Sequence, residues 1–241
     1  MGATMKVVLM PLLIAQAVAA RRRAPALPEA AGPRRGSVGD GTPLRVLIVG
    51  DSSGAGVGVA TQDEALAGHL TRTLAARTAR RIDWALHAKT GVTSALALTL
   101  LQDDPPQPAD VAVAVLGVND VVDQVAPARA VEHRAALADW LRANAGVRHV
   151  VFAPLPPMQR FPLLPQPLRW IAGRDAAAHD AAMARWAETR ADVSHVPIAL
   201  DLNLRSMAAD GFHPGEPVYR ACGEALAEHI ARHHTTWETS A

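Results

Sequence analysis

Two runs in this 241-residue chain, Val46-Leu47-Ile48-Val49 and Val111-Ala112-Val113-Ala114-Val115-Leu116, contain no polar residue. A strand with one wet face alternates polar and apolar positions, so an uninterrupted aliphatic run marks a strand buried on both faces. Both runs stop at turn-forming residues: Gly50-Asp51-Ser52-Ser53-Gly54 after the first, Gly117-Val118-Asn119-Asp120 after the second. Small residues there let the backbone turn sharply. A strand buried on both faces needs a layer on each side, which confines the chain to a layered α/β fold.

The remaining pattern supplies those layers. Asp63 and Glu64 are placed to open a helix, where carboxylates suit the dipole, and Leu66, Leu70 and Leu74 continue it as an i, i+4 stripe toward Arg80. Ile82 to Ala88 is a second strand, Val92 to Leu101 a helix, and residues 103–108 a turn-rich break. A helix from Pro127 to Asn144 follows the third strand, with Pro127 in its first turn. Val147 to Ala153 is a fourth strand, and residues 154–172 are too proline-dense for a regular element. Asp175 to Arg190 reads as an alanine-rich helix and Asp192 to Ile198 as a weaker fifth strand. The closing helix starts near Pro217, with Val218, Cys222, Leu226 and Ile230 spaced four apart. Five strands alternating with helices predict a three-layer α/β/α fold around a five-stranded parallel sheet. Right-handed crossovers then bring every carboxyl end, and with them Ser52, Gly91 and Asn119, to one edge.

Residues 1–20 read as a signal or membrane-anchor segment. Lys6 gives a positive start, Val7 to Ala20 is apolar except for Gln16, and Ala17-Val18-Ala19 resembles a cleavage site. The run is short for a bilayer span, and Arg21-Arg22-Arg23 would resist export or sit on anionic headgroups. The expectation is therefore membrane association or export through this segment, with possible membrane contact over residues 1–23. Residues 21–43, basic and rich in proline and glycine, read as a linker, and 44–241 as the working domain. The first 40 residues hold six of the 24 Lys and Arg but only two of the 23 Asp and Glu, which leaves the domain slightly acidic. With 4% aromatic residues it has no basic, aromatic face for nucleic acid. The single cysteine, Cys222, permits no internal disulfide and reads as a small core residue.

Chemistry is concentrated in four short stretches: Gly50-Asp51-Ser52, Gly91, Gly117-Val118-Asn119-Asp120 and Asp210-Gly211-Phe212-His213-Pro214. A serine hydroxyl is a poor nucleophile until a base removes its proton, and histidine has the pKa for that at neutral pH. The imidazole in turn needs an acid to fix its tautomer, a role Asp210 could fill from one turn away. Attack on an ester carbonyl builds charge on oxygen, which the N–H groups of Ser52 and Gly91 and the amide of Asn119 could receive.

In their order, these stretches resemble the four signature blocks of the SGNH (GDSL) hydrolases, over about residues 44–232. The resemblance implies a flavodoxin-like sheet, ester hydrolysis and no metal or other cofactor. It also implies a triad of Ser52, His213 and Asp210 and an oxyanion hole of Ser52, Gly91 and Asn119. Ser53 stands where the family motif has leucine, which bears on substrate subgroup more than on catalysis.

Several other readings of the same residues exist. Asp210-Gly211 could be only a turn, with His213 capping the last helix, and Asn119-Asp120 only a strand-end turn. Asp51 and Asp120 could bind magnesium, although Asp51 is better placed to brace its own loop. His229 and His233 are i, i+4 but lack the zincin glutamate. Gly50-Asp51-Ser52-Ser53-Gly54 also fits the G-x-S-x-G elbow, yet only one strand precedes it. A phosphate cradle at residues 53–58 matches neither glycine fingerprint, and a catalytically silent binding protein would use the same scaffold. The expected substrate is an acyl ester or thioester, lipase- or lysophospholipase-like, with carbohydrate O-deacetylation as the alternative. Residues 54–60 and the loop side chains Met158, Phe161, Leu163, Leu164, Leu168 and Trp170 would grip the acyl chain.

Overall fold

The computed structural model describes residues 3–239 and the side chains of residues 8–237. The ends of the expected leader and of the expected domain, residues 1–2 and 240–241, and the Lys6 side chain lie outside them. In chain order the elements are α1 (Ala3–Arg23), β1 (Arg35–Val38), β2 (Pro43–Gly50), α2 (Leu66–Thr78), β3 (Arg81–Ala88), α3 (Ser94–Asp103) and β4 (Val111–Val115). They continue as α4 (Val118–Val122), α5 (Pro127–Ala145), β5 (His149–Phe152), α6 (Leu168–Ala187), β6 (Val193–His195) and α7 (Glu216–Thr239).

The sheet order is β1-β3-β2-β4-β5-β6. All pairings are parallel except β1 with β3. The five parallel strands are those expected from the sequence, in the flavodoxin-like order, and the order reverses between β2 and β4. The two uninterrupted runs divide their side chains by parity, as a pleated strand must. Val46, Ile48, Val111 and Val113 pack toward α2 and α7, in a core with Leu66, Leu70, Leu74, Leu226 and Ile230. Leu47, Val49, Ala112 and Ala114 face the opposite core, with Leu101, Leu137, Leu141 and Met183 of α3, α5 and α6.

Three elements differ from expectation. Asp63 and Glu64 precede α2 instead of opening it: Glu64 accepts the Ala60 and Thr61 N–H groups at 3.0 and 3.3 Å, which closes the approaching turn. Helix α6 begins at Leu168, well before Asp175, so part of the proline-dense segment is helical. Residues 24–43, read as linker, pack on the body: Arg35–Val38 pairs with the edge strand β3, and Ala31 bridges Thr61. Edge pairing needs main-chain groups more than a hydrophobic pattern, so composition gave no warning of it.

The expected localisation through an apolar N-terminal segment is corrected. Among the described residues no helix is long and apolar enough to cross a membrane. Helix α1 instead docks on α6, burying Leu13 and Ala20. Gln16, the lone polar interruption, donates to the Gln166 carbonyl at 2.7 Å and accepts the Leu168 N–H at 3.1 Å. Arg21, Arg22 and Arg23 occupy its last turn, where cations complement the helix dipole.

Candidate active site

Ser52 lies two residues after β2, at the point where the strand order reverses. The chain turns so tightly there that a Cβ on Gly50 would lie 2.8 Å from the Gly54 Cα, hence glycine at both ends of the turn. Main-chain bonds hold the turn: Asp51 N–H to Val115 O at 3.1 Å, Ala55 N–H to Asp51 O at 2.9 Å and Val57 N–H to Ser52 O at 2.9 Å. The Asp51 carboxylate accepts the Ser53 N–H at 2.8 Å, the bracing role expected of it. Burial pushes its pKa up to about 6, against the pull of that N–H and of His213.

His213 arrives from the turn before α7. Asp210 Oδ1 accepts the N–H groups of Phe212 and His213 at 2.9 and 3.0 Å, and Ala208 N–H donates to His213 O at 2.9 Å. Asp210 Oδ2 lies 2.5 Å from His213 Nδ1, and His213 Nε2 lies 3.1 Å from Ser52 Oγ. An ionised carboxylate only accepts, so Nδ1 carries the proton and Nε2 is left to accept the Ser52 hydroxyl. Burial raises the Asp210 pKa, but the bonds from the His213 ring and the two N–H groups outweigh it, and the group stays below its ordinary value. His213 therefore does not cap α7.

Gly91 and Asn119 sit on the same sheet edge, after β3 and β4. One N–H of the Asn119 amide donates to Val92 O at 2.9 Å, tying the two loops together and leaving its second N–H for another acceptor. Among the described residues, the N–H groups of Ser52 and Gly91 donate to no protein acceptor. Hydrogen bonds thus join Ser52, His213 and Asp210, and Gly91 and Asn119 lie on the carboxyl edge of the sheet from which Ser52 emerges.

What the sequence reading missed is the support beneath Asn119. Asp120 accepts the Ser94 N–H at 3.0 Å, the Ser94 hydroxyl at 2.5 Å and Arg134 Nη2 at 3.1 Å, and Arg134 Nε donates to Ser94 Oγ at 3.0 Å. The pair is 0% and 1% exposed. Gly117, at φ 132°, leaves room for it, since a Cβ there would strike the Arg134 guanidinium and Leu155. A signal existed: Arg134 falls among the buried positions Ala130, Leu137, Ala138 and Leu141 of α5, where a cation must have a partner. Neither Asp120 nor Asp51 belongs to a metal cluster; among the described residues no group of three His, Cys, Asp or Glu side chains could hold an ion. Trp237 stacks on His149 at the amino end of β5, and His233 stacks and His229 tilts against the same indole, at the opposite end of the sheet from Ser52.

An apolar pocket opens beside Ser52 and His213 and runs between the sheet and α7. Of the loop side chains expected to grip a substrate only Phe161 lines it; Met158 and Leu164 are buried in one cluster with Phe161, Leu155 and Ala172 and with the pocket residues Leu202, Met207 and Val218. The segment's hydrophobicity largely serves packing.

Residues 48–221 match the GDSL-like Lipase/Acylhydrolase family. The chain belongs to that family. It is an ester-bond hydrolase of the SGNH/GDSL esterase and lipase group. Solved structures of this group share the fold. The lipase Lip_vut3 from a goat rumen metagenome superposes with a TM-score of 0.61 at 16% identity, covering 78% of this chain and 97% of that one. An acetylxylan esterase, a catalytic mutant of Axe2 from Geobacillus stearothermophilus, gives 0.58 at 16% identity over 80% and 95%. The psychrotrophic esterase EstA from Pseudoalteromonas sp., inhibited by monoethylphosphonate, gives 0.53 at 20% identity over 77% and 98%. No curated protein matches the chain.

Proposed function

We propose that this GDSL-family hydrolase is a serine esterase that cleaves acyl esters or thioesters through an acyl-enzyme. The observation that carries the proposal is the continuous hydrogen-bonded path from Asp210 through His213 to Ser52, at 2.5 and 3.1 Å. Ser52 Oγ attacks the carbonyl carbon as its proton passes to His213 Nε2, and Asp210 stabilises the imidazolium. The carbonyl oxygen, now anionic, receives the N–H groups of Ser52 and Gly91 and the free N–H of Asn119. Collapse expels the alcohol or thiol, which leaves with the proton from His213. Water, deprotonated by the same imidazole, then attacks the acyl carbon; the bond to Ser52 Oγ breaks, the carboxylic acid leaves, and His213 returns the proton to Ser52 Oγ.

A second reading, carbohydrate O-deacetylation, is favoured by one feature. A polar groove lined by Gln159, Arg160, Asp180 and Asp201 shares Pro156 and Leu200 with the apolar pocket and suits a hydroxyl-rich alcohol. A fluorophosphonate is expected to label the wild type and not Ser52→Ala; equal labelling of both would sink the serine mechanism. Release of acetate from acetylated xylooligosaccharides much faster than hydrolysis of longer p-nitrophenyl esters would favour the second reading.

A further inference from the structure

We infer that the pocket beside Ser52 is a dead-end acyl site, that Cys222 and Leu226 of α7 form its floor, and that it selects acyl groups of about four carbons. The inference rests on the serine-esterase reading and specifies its substrate. The mouth is formed by Ser52 and His213; beyond it the lining reaches Leu66, Cys222 and Leu226. Leu66 and Leu226 have almost no accessible surface and lie in the core between the sheet and α7, so the inner end is closed. Cys222 is packed nearly all round by protein yet keeps accessible surface, because the pocket lies against it.

Nothing in the interior of the pocket would recognise a polar ligand. The Tyr219 hydroxyl is committed to Val57 O at 2.6 Å. Burial pushes the Cys222 thiol up to about 12, so at neutral pH it is an uncharged wall. An acyl chain bonded to Ser52 can fill this space by burying methylenes there, each worth about ten-fold or more in kcat/KM while room lasts. The space open to atoms of water size is about 70 Å³. An apolar cavity of about 150 Å³ holds benzene, about 25 Å³ for each heavy atom, so this space accepts about three atoms beyond the carbonyl carbon before the chain meets the floor. Val218, Cys222 and Leu226 recur every four residues on α7, so one helix face sets both wall and floor.

The test is a kcat/KM series on p-nitrophenyl esters from acetate to dodecanoate, run on wild type, Cys222→Phe and Leu226→Ala. Thermal melts would establish folding, and Cys222→Leu would take the place of Cys222→Phe should that variant fail to fold. Wild type is expected to peak at butyrate and to fall at least ten-fold by dodecanoate. Filling the floor at Cys222 is expected to lower the butyrate-to-acetate ratio at least ten-fold. Leu226→Ala is expected to move the peak two or more carbons longer. A wild-type maximum at acetate or dodecanoate, or an unchanged ratio and peak in the folded variants, would overturn the inference. Labelling by a short-chain fluorophosphonate separates the two levels. A folded wild type that resists labelling overturns the serine-esterase reading and this inference with it, whereas normal labelling with an unchanged profile overturns the pocket alone.

Discussion

Asp210 and Asp120 are both buried carboxylates beside the same crevice, yet their partners differ in kind. Asp210 is paired with His213, an imidazole that can gain and lose a proton while remaining 19% accessible at the mouth of the pocket. Asp120 is paired with Arg134, whose charge is permanent, and both are closed off from water. A titratable, accessible partner suits a carboxylate that works during a reaction. A fixed and buried one suits a carboxylate that holds a loop in place. The contrast teaches that burial and a short hydrogen bond do not by themselves mark a reacting group; the chemistry of the partner does.

Exchanging each carboxylate for its amide is the most direct way to break the comparison. Asp210→Asn is expected to lower kcat by about 10⁴-fold, because the amide no longer enforces the tautomer that lets Nε2 accept the serine proton. Asp120→Asn is expected to cost about 3–5 kcal/mol of stability, since Arg134 would keep a buried charge without its partner. Urea unfolding alongside steady-state kinetics would read both. A larger stability loss at Asp210 than at Asp120 would erase the distinction.

Between the two carboxylates stands Asn119, adjacent to one and proposed to serve the reaction with the other. Asn119→Ala is expected to reduce kcat about 10²–10³-fold with a smaller change in KM, the mark of a donor used mainly in the transition state. It is also expected to unfold at nearly the wild-type midpoint, since the Asp120–Arg134 pair is untouched. A rise in KM with kcat unchanged would place the amide in ground-state binding instead.

The smallest effect concerns pH. Burial, reinforced by neighbouring imidazoles, holds His149 and His229 down to about 4, and His69, His87 and His179 shift the same way. Between about 6.5 and 4 the unfolded chain therefore binds more protons, and stability falls as the pH drops through that window. Asp51 works in the opposite sense: raised from 3.8 to about 6, it favours the folded state below that range and loses the contribution as pH rises. The histidines outnumber it, so melting temperature is expected to decline from pH 7 to pH 4.5, and His229→Gln is expected to flatten the slope. A melting temperature that rises over this range would show that Asp51 dominates.

How much of this was legible in the sequence follows from the range over which each residue's constraint acts. The four stretches announced themselves because each is local: a strand must end somewhere, and Gly50, Gly117 and the Asp210–His213 turn carry their reasons within a few residues. Arg134 was visible only as an anomaly on an apolar helix face, since its partner lies 14 residues away and its hydroxyl contact 40. The edge strand Arg35–Val38 was hidden by a composition that reads as linker, and α1 by an apolar pattern that reads as a leader. The loop side chains of residues 154–172 misled for a related reason: hydrophobicity says that a group leaves water, but not what it packs against.

The sequence by itself determined the layered parallel fold and the order of its strands' functional ends, because periodicity and turn chemistry act over a few residues and survive without neighbours. Only the tertiary structure decided that the Asp210, His213 and Ser52 side chains form one hydrogen-bonded path, that Arg134 neutralises Asp120, and that α7 closes a pocket beside Ser52. Each of those depends on groups far apart in the chain meeting within a few ångströms, and such distances are set by the packing of whole layers.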